Sequence, residues 1–162
     1  MHEDWQESTT STLKLVERRI LTYGTYDVLH YGHIRLLRRA AALGDRLFVG
    51  LSSDTFNAQK GKTAFYPYDL RYEMLEAISY VDHIFIENTW EQKRHDIERF
   101  QIDMLVMGND WEGDPRFEEL RDICSIVYLD YTYGISSTEV IARLDASRVK
   151  YFSIPEVSAQ VG

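Results

Sequence analysis

The stretch Gly24-Thr25-Tyr26-Asp27-Val28-Leu29-His30-Tyr31-Gly32-His33 lies between a short β-rich run and a longer helical segment. The run Ile20–Tyr23 before it predicts a strand. After it, the apolar residues Ile34, Leu37 and Ala41 have helical spacing. A strand that passes directly into a helix is the repeating unit of a parallel sheet covered by helices. The stretch therefore predicts an α/β fold and places its own polar residues at the carboxyl edge of the sheet, where ligands bind.

Beyond this stretch, β-rich runs and helical segments continue to alternate. Strands are predicted over residues 20–23, 47–51, 83–87, 104–108 and 126–129. Helices are predicted from Tyr31 to a stop at Gly44 and over residues 67–81, 90–100, 117–123 and 136–144. The helix over 67–81 is expected to bury one apolar face, formed by Leu70, Met74, Ile78 and Val81. The predicted fold class is α/β, a three-layer Rossmann-like domain with a five-stranded parallel central sheet.

The length of 162 residues corresponds to about one domain. We expect that domain over residues 20–145, between a polar N-terminal leader of residues 1–19 and a C-terminal tail of residues 146–162. The tail has no clear period, and Pro155 argues against a further helix there. A composition of 44% hydrophobic and 27% charged residues is typical of a folded globular chain and excludes collagen-like or disordered classes.

The charge balance limits the partners that this chain can bind. With 18 Lys and Arg against 26 Asp and Glu, the net charge is −8, which argues against a broad nucleic-acid surface and requires any basic site to be local. The apolar runs fall far short of the ~20 residues that span a bilayer, so no membrane insertion is expected. One cysteine, Cys124, cannot form an intramolecular disulfide, and the N-terminus is acidic where a signal peptide would be basic. We expect a cytoplasmic protein.

His30 and His33 are the first candidate site residues. They are three residues apart at a predicted helix start, where unpaired backbone N–H groups and a partial positive charge favour an anion. Both imidazoles can face one phosphate group, and Gly32 between them allows a close approach. Two other interpretations stay open from these residues alone. The histidines are alternatively capping or surface residues. As a third interpretation they are two ligands of a metal site, although no Cys or acidic residue stands at a suitable local spacing to be the third ligand.

Three cationic residues follow the second strand. Lys60 and Lys62 lie in a long polar segment, residues 52–66, which we expect to be a site loop. Their ammonium groups are suitable point charges for phosphate, although loop lysines are more commonly just solvated. Arg71, near the start of the next helix, is either a surface residue or an anion clamp.

Candidate polar residues also follow the fourth and fifth strands. Asp110 is placed to accept hydrogen bonds from ribose hydroxyls or, alternatively, to serve as a turn residue. The segment Ser136–Glu139 matches a capping box, and the helix start that it caps can also face an anion. Trp90 and Trp111 are expected to pack in the core or an interface rather than to stack on a base.

Together these motifs resemble the nucleotidyltransferase superfamily that carries the His-x-Gly-His signature. Within it, the chain is most similar to the glycerol-3-phosphate cytidylyltransferase family, over residues 20–144. Adenylyltransferases of the same fold generally lack the Trp-Glu-Gln-Lys and Asp-Trp-Glu-Gly segments, so the resemblance favours cytidylyl transfer. The matching segments are Thr22–His33, Phe56-Asn57 with Lys60 and Lys62, Tyr80–Asp82, Trp90–Lys93, Met107–Gly113 and Gly134–Thr138.

The resemblance implies transfer of CMP from CTP to sn-glycerol 3-phosphate, with Mg²⁺ accompanying the CTP. It also implies a homodimer and a product used for teichoic acid or other surface polysaccharide precursors. The implied catalytic residues are His30, His33, Lys60 and Lys62. The implied nucleotide-binding residues are Gly24, Thr25, Tyr26, Gly32, Asp110, Thr132, Gly134, Ile135, Ser136, Ser137 and Thr138. The implied acceptor-binding residues are Asp27, Lys62 and Arg71, and no protein-held metal is implied.

The chain departs from the family pattern in two places. Tyr131 and Tyr133 flank Thr132 where the family has Arg-Thr-Glu, and Ser79 stands where better-known members carry arginine. Two cations near the site are therefore absent. Two alternatives stay open for this reason: a cytidylyltransferase for a polyol, ethanolamine or choline phosphate, and a nucleotide-binding module without catalysis.

Overall fold

The structure, a computed structural model, describes residues 17–146, which form an α/β domain around a five-stranded parallel sheet. The strands run in the order β3-β2-β1-β4-β5, and every neighbouring pair is parallel. All five predicted strands are confirmed to within one residue at each end. They are β1 (Arg19–Gly24), β2 (Arg46–Ser52), β3 (His83–Glu87), β4 (Met104–Gly108) and β5 (Ser125–Leu129).

Helices and short 3₁₀ turns connect these strands. The helices are α1 (Tyr31–Ala41), α2 (Asp54–Gln59), α3 (Tyr68–Glu76), α4 (Gln92–Phe100), α5 (Pro115–Glu118) and α6 (Ser137–Ala146). Two 3₁₀ turns cover Asn109–Trp111 and Glu119–Asp122. The predicted helix over 117–123 is therefore a junction of α5 with a 3₁₀ turn.

Two expectations are wrong. The segment 52–66 is not a continuous loop, because α2 begins where the Ser53 hydroxyl accepts a hydrogen bond from the Phe56 N–H. Helix α3 ends at Glu76 rather than continuing to Val81, and its residue Leu70 is 37% exposed. The buried α3 residues are Arg71 and Leu75, so the real face is rotated from the predicted one.

Each face of the sheet carries a hydrophobic layer, as expected for strands buried on both faces. Neighbouring residues in a strand point to opposite layers: Ile20 packs with α1 and α3, whereas Leu21 packs with α4 and α5. The sheet with a helical layer on each face makes the predicted three-layer architecture.

The strand order opens a crevice between β1 and β4. The chain builds outward from β1 to β3 and then crosses back to β4, so these two strands form the topological switch point where α/β sheets bind ligands. They pair through Ile20 with Met104 and Leu21 with Leu105, and then separate before their carboxyl ends.

Parts of the predicted organisation fall outside residues 17–146. These are most of the leader, all but one residue of the tail, and the interpretation of Pro155. In the part of the chain that the structure describes, no helix is both long enough and apolar enough to cross a membrane.

Candidate active site

A pocket of about 510 Å³ lies over the carboxyl ends of the strands. It is lined by most of the residues predicted for the site: Gly24, Thr25, Tyr26, Asp27, His30, Gly32, His33, Lys60, Lys62, Asp110, Thr132, Ile135, Ser137 and Thr138. Arg71, Gly134 and Ser136 are not among its lining residues. Two groups of residues at the pocket differ in chemistry: the histidine wall (His30, Gly32 and His33) and the lysine wall (Ser52, Lys60, Lys62 and Glu87, which line the pocket, with the buried Lys93 behind Glu87).

The histidine wall is organised by the first turn of α1. His30 is the N-cap residue, and its Nδ1 accepts the Gly32 N–H at 3.1 Å. His33 Nδ1 accepts the His30 N–H at 3.4 Å, and the two rings stack with centroids 3.8 Å apart. Because both Nδ1 atoms are acceptors, each neutral ring carries its proton on Nε2, which is then free to donate.

Both imidazoles are neutral at pH 7. Burial and, to a smaller extent, the neighbouring His30 lower the pKa of His33 to about 3. The pKa of His30 is also lowered by burial, against a smaller opposing effect of Glu139. The wall therefore offers hydrogen-bond donors rather than positive charge.

The histidine wall also needs a glycine at position 32, since a Cβ on Gly32 would lie 2.9 Å from the His30 ring.

The turn between β1 and α1 has a strained backbone. Tyr26 and Val28 have φ values of 48° and 46°, in the left-handed region that non-glycine residues rarely adopt. Asp27 holds the turn in place, because its carboxylate accepts the N–H groups of Val28, Phe65 and Tyr66 at 2.6–3.0 Å. Asp27, predicted to bind the acceptor, lines the pocket but uses its carboxylate to join this turn to the segment before α3.

The lysine wall begins with Lys60, which ends α2. Its ammonium group donates to the Ser52 hydroxyl at 3.0 Å and lies 4.2 Å from the centroid of the Phe56 ring. Burial lowers the pKa of Lys60 to about 8, and the charge of Glu87 opposes that effect. Lys62, two residues on, is exposed at the pocket rim.

A buried ion pair lies behind Lys60 and was not predicted from the sequence. Glu87 and Lys93 are each 2% exposed, and the Lys93 ammonium donates to a Glu87 carboxylate oxygen. Lys93 also lies 4.5 Å from the centroids of the Tyr23 and Trp90 rings. One signal was available: Glu87 ends a strand at the ligand-binding edge of the sheet, where a charged residue is unexpected unless it is paired.

The interpretation of Arg71 as an anion clamp is not supported. Arg71 is 0% exposed, and its guanidinium donates to the carbonyls of Thr25, Ser52 and Tyr66 and to the Asp54 carboxylate, at 2.7–2.9 Å. These bonds join the ends of β1 and β2 to the start of α3. The structure therefore places Arg71 behind the pocket, where it holds the backbone that carries Thr25 and Ser52.

The segment after β5 closes the pocket on the side of the histidines. Tyr131 is 48% exposed and lines the pocket, whereas Tyr133 is 91% exposed and does not. Ser136 caps α6 by accepting the Glu139 N–H at 3.2 Å, as the capping box predicts. Ser137 donates to the Asp27 carbonyl at 2.6 Å and so holds α6 against the strained turn.

The remaining predicted residues have mixed positions. Asp110 lies in the 3₁₀ turn after β4 and is exposed at the pocket. Trp90 and Trp111 pack against each other and against Phe117, as predicted, and they also line the pocket. Within residues 17–146 there is no cluster of three or more His, Cys, Asp or Glu residues that could hold a metal ion.

Known proteins are similar to this chain in sequence and in fold. Residues 21–143 match the family model described as cytidylyltransferase-like. A glycerol-3-phosphate cytidylyltransferase from Staphylococcus aureus is 53% identical over 123 residues, which cover 76% of this chain and 92% of that protein. One from Bacillus subtilis is 51% identical over 123 residues, which cover 76% of this chain and 94% of the relative. A lipopolysaccharide core biosynthesis protein from Thermoplasma volcanium shares the fold, with a TM-score of 0.61 and 21% identity over 72% of this chain and 98% of its own.

Proposed function

The chain belongs to the cytidylyltransferase-like family, and we propose that it transfers CMP from CTP to sn-glycerol 3-phosphate, giving CDP-glycerol and pyrophosphate. The observation that carries this proposal is that the two neutral histidines, with free Nε2–H donors, line the same pocket as the lysine wall. That arrangement suits a reaction between two anions.

The reaction is an in-line displacement at the α-phosphorus of CTP. A phosphate oxygen of glycerol 3-phosphate forms the new P–O bond, and the bond to the β-phosphate breaks to release pyrophosphate. A phosphate monoester has a second pKa near 6, so the nucleophile is already a dianion at pH 7 and needs no general base. The protein therefore contributes positioning and stabilisation of the charge that develops on the phosphoryl oxygens.

The histidine wall holds the nucleotide phosphates in this proposal. His30 and His33 donate from Nε2 to the phosphoryl oxygens, and the first backbone N–H groups of α1 lie beside them. Their Nδ1 atoms are held by backbone, so the donors are aimed before the substrate binds. Such fixed donors are effective because they do not have to reorganise as the transition state forms.

The lysine wall neutralises charge. Lys60 and Lys62 line the same pocket, and in this proposal their positive charge reduces the repulsion between the triphosphate and the acceptor phosphate. Asp110, which also lines the pocket, accepts from the ribose hydroxyls of the nucleotide in this proposal.

Mg²⁺ is expected to arrive bound to the triphosphate and to supply further charge neutralisation. Magnesium binds substrate phosphates through few protein ligands and keeps several waters, which suits a pocket of histidine and lysine donors. Asp27, the acidic residue in the turn between β1 and α1, has its carboxylate occupied by three backbone N–H groups.

The acceptor is tested by a panel of alcohol phosphates. Pyrophosphate release is measured with CTP and glycerol 3-phosphate, a polyol phosphate, ethanolamine phosphate or choline phosphate, with the His30→Ala/His33→Ala double variant as the blank. We expect glycerol 3-phosphate to give the highest kcat/KM. The exposed Tyr131 in the pocket favours the second candidate, another alcohol phosphate, and a tenfold preference for one would replace the first. CTP binding without turnover on any member would favour a non-catalytic module.

We also propose that the enzyme is a cytoplasmic homodimer whose product feeds the synthesis of teichoic acid or another surface polysaccharide. The family resemblance and the eleven tyrosines support a dimer, as does Ile86, an apolar residue 44% exposed on the edge strand β3. Light scattering at micromolar concentration tests the dimer, and a monomer under those conditions contradicts it.

A further inference from the structure

Glu87 is a buried carboxylate that the reaction outlined above does not use. It ends β3, is 2% exposed, and contributes to the lining of the pocket beside Lys60. A carboxylate is costly to bury, so its partners indicate why it is there.

The partners of Glu87 form a chain that ends at Lys60. One carboxylate oxygen accepts from the Lys93 ammonium, and the other accepts from the Ser52 hydroxyl at 2.6 Å. The Ser52 oxygen then accepts from the Lys60 ammonium at 3.0 Å. A hydroxyl has one proton, so the bond to Glu87 leaves lone pairs of the Ser52 oxygen directed at Lys60.

Lys93 compensates the charge of Glu87. Its ammonium is enclosed by the Tyr23 and Trp90 rings and paired with the carboxylate, so Glu87 is held in one orientation from behind. The order of groups across the lysine wall is therefore Lys93, Glu87, Ser52 and Lys60, contributed by α4, β3, β2 and the end of α2.

We propose that Glu87 is a positioning residue for Lys60: it orients the Ser52 hydroxyl, which holds the Lys60 ammonium at the pocket wall. This inference rests on the proposed function of Lys60 as a phosphate-binding cation. Without the carboxylate, the Ser52 hydroxyl is free to rotate and Lys60 loses a fixed partner.

The charges around Lys60 support the same role. Burial lowers the pKa of Lys60, Glu87 raises it, and the cations Lys62, Lys93 and Arg71 lower it. These groups face Lys60 from its own loop and from β3, α4 and α3. Without the charge of Glu87, burial and the three cations all lower the pKa of Lys60. Lys60 then loses its proton at a lower pH.

The test compares Glu87→Gln with the unaltered enzyme in a profile of kcat/KM against pH. We expect the alkaline limb to move down by about one pH unit, so that kcat/KM falls by about fivefold at pH 8 and by about tenfold well above it, as removal of one nearby charge predicts. Ser52→Ala should lower kcat/KM but move the limb less, because the charge of Glu87 stays. Asp96→Asn is the matched control: Asp96 is also a buried carboxylate, but it accepts from Tyr23 and Gln92, so it should leave the limb in place.

A second readout does not depend on turnover. The Lys60 ammonium is titrated by NMR of ¹³C-labelled lysine side chains, with Lys60→Arg used to assign the signal. A lower Lys60 midpoint in Glu87→Gln supports the proposal even if glycerol 3-phosphate is not the acceptor. This measurement therefore distinguishes a failure of the positioning role of Glu87 from a failure of the proposed function. If Glu87→Gln changes neither the Lys60 midpoint nor the alkaline limb of kcat/KM, the positioning role of Glu87 is overturned. If Glu87→Gln does not fold, the same conclusion follows when Ser52→Ala leaves both kcat/KM and its alkaline limb unaltered.

Discussion

The histidine wall and the lysine wall of the pocket are built in different ways. In the histidine wall, the two imidazoles are fixed by backbone N–H groups two or three residues away, within the first turn of one helix. In the lysine wall, Ser52 and Glu87 are 35 residues apart in sequence and meet through neighbouring strands. The histidines are neutral donors because burial lowers their pKa, whereas Lys60 keeps its charge beside a buried carboxylate.

Under the proposed function, the histidine wall contributes directed hydrogen bonds and the lysine wall contributes positive charge. Directed hydrogen bonds need fixed geometry, which a helix start provides locally. Positive charge in a buried site needs a compensating partner, which has to come from another part of the chain. The following changes test that division.

The largest expected effect is on kcat in His33→Asn. Asparagine retains an oxygen that can accept the His30 N–H, but it lacks the Nε2 donor, so the change removes the donor while keeping the cap. Loss of one aimed donor costs about 10²–10³ in kcat. Steady-state kinetics should show this loss with a much smaller rise in the KM for CTP. His95→Asn, at an exposed position on α4, is the control. Activity within twofold of the unaltered enzyme would remove His33 from the mechanism.

Lys60→Met should lower kcat/KM by about 10 to 150 fold, the equivalent of one charged hydrogen bond. The physical reason is the loss of a cation held at the pocket wall by Ser52. Lys62→Met should lower it less, because Lys62 is exposed and its charge is screened by solvent. Arg35→Gln, an exposed cation on α1, controls for net charge. Equal losses for the two lysine variants would contradict the distinction between them.

The two walls should also titrate differently. Lys60 loses its proton as pH rises through about 8, so kcat/KM should fall about tenfold per pH unit above that value. Lys60→Arg should remove this limb, since a guanidinium stays protonated. The His33 imidazole, with its pKa lowered to about 3, should show no NMR titration between pH 5 and 8 in the free enzyme. A His33 midpoint near 6.5 would show that the histidine wall is cationic.

The smallest effect is expected from Tyr131→Arg, which restores a cation at the edge of the pocket. If glycerol 3-phosphate is the acceptor, its KM should fall by up to about tenfold or stay unchanged, since the new charge adds at most one partly solvated hydrogen bond. Tyr133→Arg adds the same charge at a position that does not line the pocket. A selective loss of activity toward another alcohol phosphate would instead show that Tyr131 shapes a pocket for that acceptor.

The parts of this protein that depend on local pattern were predictable. Every strand was located to within one residue because fully buried parallel strands form continuous apolar runs. The histidine wall was predictable for a similar reason, since the turn after β1 and the start of α1 occupy only the ten residues 24–33. Helix α2 was missed because its six residues carry too little period to distinguish it from a polar loop.

Local sequence pattern was sufficient to define the sheet, its carboxyl edge and the histidine pair, because periodicity, capping and turn chemistry act over a few neighbouring residues. The partners of the buried charged residues became apparent only in the folded structure. Arg71, expected to be a surface residue or an anion clamp, is buried and donates to three backbone carbonyls, whereas Glu87 and Lys93 had no assigned role and form an ion pair behind Lys60. The physical reason is that the free energy of a buried charge depends on its partners in space, and those partners come from strands and helices distant in sequence.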